Sequence, residues 1–71
     1  MNAINPEKLH HSKWTAARPR NKEKHFLVTA LKRDEEENVV AVVVEAVYTH
    51  REITLPWQDL KDDETWRMGW R

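Results

Sequence analysis

The stretch that decides the fold is Asn38–Tyr48, NVVAVVVEAVY, preceded by His25–Arg33, HFLVTALKR. Both are rich in β-branched and aromatic residues, and neither carries a proline or glycine. Side chains alternate between the two faces of a strand. In the later stretch one face is Val40, Val42, Val44, Ala46 and Tyr48; the other is Val39, Ala41, Val43, Glu45 and Val47, with a single acid. A strand apolar on nearly both faces belongs in the middle of its sheet. Between the two lies Asp34-Glu35-Glu36-Glu37-Asn38, a polar run suited to a hairpin loop.

Outward from this centre the elements are shorter. YTHR leads into Arg51–Pro56, REITLP, which reads as a second hairpin ended by its proline. On the N-terminal side Ser12–Arg18, SKWTAAR, alternates well enough for a strand, and Pro19–Lys24, PRNKEK, reads as a polar basic loop. Asn5-Pro6-Glu7 places a capping side chain before a proline at a first helical position, the signature of one short turn. After Pro56 the period changes. Trp57 and Leu60 are three apart and Trp66 and Trp70 four apart, which predicts two short helical or 3-10 turns, closed by Gly69.

The expected fold class is therefore mainly β: a small antiparallel sheet of about four strands, curled or closed as an SH3-like barrel, with helical or 3-10 turns at the C-terminal end. Gly69 is the only glycine, which is awkward for a tightly bent barrel, whose sharp corners usually need glycine or bulges. The expected organisation is one domain over residues 1–71, with 1–11 a partly flexible arm. A chain of 71 residues buries only about 60% of its unfolded surface, so every large apolar side chain counts. Without cysteine, neither a disulfide framework nor a thiolate zinc site holds it together.

Charge is balanced overall but not along the chain. Residues 1–33 carry eight Lys/Arg against two Glu, net +6; residues 34–71 carry four against ten acids, net −6. No apolar run approaches the roughly 18 residues of a membrane span, and MNAINPEKLHHSK lacks the apolar core of a signal peptide, so the expected compartment is the cytoplasm with no membrane partner.

Four blocks in this order, NPEKLHHSKWTA, NKEKHFLVT, ITLPWQDLKD and WRMGW, resemble a small bacterial tryptophan-rich family of unknown function, the DUF2389 type. The resemblance covers nearly the whole chain. It implies that Trp14, Trp57, Trp66 and Trp70 match the family's motif, and it implies no activity, cofactor or catalytic residue.

A buried tryptophan removes about 200 Å² from water, so a domain this small can withhold few of them from its core. Trp14, Trp57 and Trp66 are expected to be core and Trp70 the exposed one. The functional expectation follows from the chemistry left over. There is no phosphate-binding glycine loop, no nucleophile elbow and no carboxylate pair spaced for acid–base work, so no catalytic residue and no enzyme is expected. The histidines at 10, 11, 25 and 50 lack thiolate or carboxylate companions at metal-ligand spacing, so no metal or other cofactor is expected. What remains is a non-enzymatic interaction module with a protein partner. The alternative is single-stranded nucleic acid held by ring and cation together, with oligomeric state open. The candidate binding surface is Lys13, Trp14, Arg18, Arg20, Lys22, Lys24, Arg67, Trp70 and Arg71.

Overall fold

The computed structural model describes residues 1–71. It contains one antiparallel sheet of five strands: β1 (Lys13–Arg20), β2 (Glu23–Arg33), β3 (Val39–Ala46), β4 (Glu52–Pro56) and β5 (Trp66–Met68). The spatial order is β4-β3-β2-β1-β5. The valine-rich β3 lies between β2 and β4, as its two apolar faces require. Because β4 and β5 do not pair with each other, the sheet stays open rather than closing into a barrel. Register shifts interrupt the pairing of β1 with β2 between Thr15 and Arg20, and that of β2 with β3 between Val28 and Ala30 and between Lys32 and Arg33.

The chain has to travel from β4 at one edge to β5 at the other. It does so across the inner face through a 3-10 turn at Trp57–Lys61, whose Leu60 is fully buried. That inner face carries the core: Trp14, Phe26, Val28, Val42, Val44 and Trp66 with Leu60, and Leu9 from the N-terminal segment. Phe26 and Trp66 meet edge to face, centroids 5.0 Å apart, the arrangement aromatic quadrupoles favour. The other 3-10 turn, Pro6–Lys8, has Asn5 as its cap, accepting from the Glu7 N–H at 3.1 Å. The Asn2 side chain donates to the carbonyls of Leu60 and Trp66, both at 2.8 Å, which ties residue 2 to the crossing segment.

Three details depart from the sequence reading. The second expected turn is a strand: Trp66–Met68 pairs with Trp14–Ala16, making five strands where about four were expected. Pro19–Lys24 is not an open loop, because β1 and β2 run to Arg20 and from Glu23, leaving a two-residue turn at Asn21 (φ 55°) and Lys22 (φ 62°). Two consecutive left-handed residues form the tight hairpin turn that matches strand twist. Third, the register shift at Lys32/Arg33 turns Val39 inward, 7% exposed, and Val40 outward, 46% exposed. Tyr48 lies beyond β3 and is 69% exposed.

Candidate functional site

The outer face of the sheet is where the C-terminal segment ends up. Gly69 has φ +79°, a conformation that L side chains rarely adopt, and it turns the chain over β1. Thr15, in β1, is almost fully buried beneath that turn. Its hydroxyl donates to the Gly69 carbonyl at 2.7 Å and accepts the Arg71 N–H at 3.0 Å. The Trp70 indole N–H donates to the Phe26 carbonyl at 3.0 Å, so the ring is anchored on β2 while 43% exposed.

Charge surrounds this ring. The Lys13 ammonium lies 4.8 Å from its centroid, a cation–π distance, and the His25 ring is 5.7 Å away. His25 Nε2–H donates to the Arg71 main-chain oxygen at 3.1 Å. Arg67 sits on β5 directly opposite Thr15. Lys13, Arg67, Trp70 and Arg71 are thus brought together on one surface.

The other candidates are elsewhere. Trp14 is 1% exposed in the core, its indole N–H satisfied by the Ser12 hydroxyl at 2.8 Å, so it offers no surface. Lys22 and Lys24 are exposed at the β1–β2 hairpin and form no ion pair. Arg18 and Arg20 line a cleft of about 440 Å³ between that hairpin and the segment before β5, floored by Phe26, Ile53 and Trp66. Three arginines there (18, 20 and 51) face three acids (Glu23, Asp62 and Glu64), so the cleft is not an anion trap.

Two of those acids already have partners. Glu23 is buried, and its carboxylate accepts Arg51 through both Nε, at 3.0 Å, and Nη2, and also the Thr49 hydroxyl. Arg51 and then Thr49 hold its carboxyl below the usual carboxylate range. Asp62 is shifted the same way by the Thr65 hydroxyl, the Glu64 N–H and, more weakly, the charge of Arg18. No group of three or more His, Asp or Glu converges as metal ligands. No helix is long and apolar enough to cross a membrane.

Sequence reasoning missed two members of the outer surface. His25 reads as an isolated surface histidine, and Thr15 as a strand residue without distinction. Their alternation with Trp14 and Phe26 does mark them as outward-facing, but only the tail's return brings them against Trp70.

With three tryptophans wholly or half within the core and one anchored at the surface, the comparison with known families is informative. The model of the tryptophan-rich protein family DUF2389 matches residues 12–71. The chain belongs to that family. No curated protein and no solved structure matches it. In this DUF2389 chain the match takes in all five strands and all four tryptophans, and leaves out the segment carrying Asn2, Pro6–Lys8 and Leu9.

Proposed function

We propose that this chain is a non-enzymatic interaction module that docks a protein partner on the outer face around Trp70. One observation carries the reading: Trp70 is held by the Phe26 carbonyl and the Thr15 clamp, yet 43% of it stays exposed. An anchored aromatic ring loses little entropy on binding, and tryptophan and arginine are both enriched among interface hot spots. Lys13, Arg67 and Arg71 around the ring favour an acidic segment on the partner. The test is affinity capture with the parent and with Trp70→Ala, each first shown to melt cooperatively. Partners retained by the parent and lost by the variant support the reading, and identical capture by both defeats it.

The cation over the Trp70 ring favours a second reading on the same surface, a single-stranded nucleic acid with a base on the indole and phosphates on Lys13 and Arg67. A titration with short single-stranded RNA and DNA, followed at the indole resonances, separates the two. Nucleic acid requires a saturable shift confined to Trp70 that weakens steeply with salt. Four unmoved indoles at low salt leave the protein-partner reading alone.

A further inference from the structure

The two edges of the sheet are not alike. On β5 the Gly69 N–H bonds the Lys13 carbonyl and the Ala17 N–H bonds the Thr65 carbonyl, so the backbone groups of Trp66 and Met68 point away from β1. Three of these four groups are satisfied within the chain, the Met68 carbonyl by the Arg71 side chain at 3.1 Å, which leaves the Met68 N–H as the one outward donor. The Trp66 N–H donates to Asp62 O at 2.8 Å, and its carbonyl accepts the Asn2 side chain at 2.8 Å.

The β4 edge has no such cover. The Ala46 N–H bonds the Arg51 carbonyl, and the register pairs Val44 with Ile53 and Val42 with Leu55. Hydrogen-bonded and non-bonded pairs alternate, so Ile53 and Leu55 aim their backbone groups at β3. Glu52, Thr54 and Pro56 aim theirs outward. Pro56 at an outward position, where its missing N–H breaks no ladder bond, agrees with this parity. The free edge therefore offers two N–H donors and two carbonyls, at Glu52 and Thr54, that no group in the chain meets, together with the Pro56 carbonyl, which opens the 3-10 turn with one lone pair and has the other to offer. β4 carries no lysine and no bulge, so its guards are its short length and the Glu52 and Pro56 at its two ends, which leave Thr54 between them open.

We propose that the partner of this edge is the β4 edge of a second copy, joined antiparallel about a two-fold axis at Thr54. Each Thr54 N–H then meets the Thr54 carbonyl of the other copy, and each Glu52 N–H meets the remaining lone pair of a Pro56 carbonyl. All four free donors of the two edges are used. An axis at Ile53 also uses all four, but it makes the two Glu52 side chains diagonal neighbours about 7–8 Å apart. With the axis at Thr54 they are about 14 Å apart, Glu52 faces Pro56, and Ile53 faces Leu55 on the inner side. Two copies carry no net charge to hold them apart, since each sums to zero at pH 7. This surface is separate from Trp70, so either can fail without the other.

Sedimentation over a range reaching about 1 mM, the weak end of specific association, tests the idea on the full chain. The weight-average mass is expected to rise with concentration from 8.5 kDa toward twice that value. The Glu52 and Thr54 amides should exchange more slowly as concentration rises. Thr54→Pro, which removes a donor facing away from β3, should weaken association at least about tenfold. Because a proline can disturb the strand, a second variant uses the chain's lack of cysteine: Thr54→Cys should be joined to itself by a short bis-maleimide, and Glu36→Cys in the β2–β3 loop should not. A parent that stays monomeric throughout the range overturns the proposal. So does a dimer in which Thr54→Cys fails to cross-link or the Glu52 and Thr54 amides show no concentration-dependent protection.

Discussion

Glu23 shows how much of a small domain's geometry can hang on one side chain. It begins β2 at the β1–β2 turn, and its partners Thr49 and Arg51 lie at the turn between β3 and β4, so the three residues fasten two hairpins together at one end of the sheet. Nothing local marks it. Within PRNKEK it is one charge among four polar neighbours, and its arginine is 28 residues away. A paired partner so distant leaves no periodic trace in a single sequence. The carboxyl is held below its usual 4.5 in the folded chain, so the stability it supplies is fully present above that value and is lost as pH falls through the folded value. Glu23→Gln should therefore unfold at lower urea than the parent at pH 7, with the gap closing as pH falls below about 4.5. Glu7 and Asp62 are shifted in the same direction but are present in both chains, so they cancel in the difference. A gap that stays constant from pH 7 to pH 3 would show that Glu23 acts by shape alone.

At the scale of elements, legibility followed length. β2 and β3 hold 11 and 8 residues, long enough for alternation to outweigh every other pattern, and the two hairpins joining β2 to β3 and β3 to β4 were readable, whereas the order of strands across the whole sheet was not. β5 holds three residues, and the four-residue spacing of Trp66 and Trp70 imitates a helical turn. What makes it a strand is its pairing with Trp14–Ala16, about 52 residues earlier, a tertiary cause invisible to local reading. The burial of its tryptophan was readable, since so short a chain cannot spare that area. Trp66 packs on Phe26 and closes the inner face, while its backbone receives Asn2 and Asp62. Truncating a buried tryptophan costs about 3–5 kcal/mol, comparable to the whole net stability of a domain this size. Removing residues 66–71 should therefore abolish cooperative unfolding, seen as a broad non-sigmoidal urea curve by fluorescence and circular dichroism. A truncated chain with the parent's sharp transition would mean that β5 decorates a sheet already stable without it.

For the whole molecule the question is what becomes of a +6 half and a −6 half. The strand order answers it. Basic β1 and β2 lie between acidic elements, with β3 and β4 on one side and the Asp62–Glu64 segment on the other. The halves interleave rather than forming two poles. Ion pairs cross the division at Glu23–Arg51 and at Asp63 with the Met1 amine, and of the three ion pairs made by Arg or the amino terminus only Glu23 contributes a buried carboxylate. Exposed pairs are worth little and are screened by salt, so the fold should rest on its apolar inner face. Raising salt to about 1 M, where the Debye length is about 3 Å, should move the melting temperature by less than the 4–8 °C that corresponds to about 1 kcal/mol. The same salt should release a partner held at Lys13, Arg67 and Arg71, since those cations meet it at the exposed rim. A melting temperature that falls by more than 8 °C would show that interleaved charge, not the Trp14–Phe26–Trp66 core, is what keeps the sheet folded. Loss of docking would then report unfolding rather than screening, and only the difference between the two salt responses assigns the outer face a function of its own.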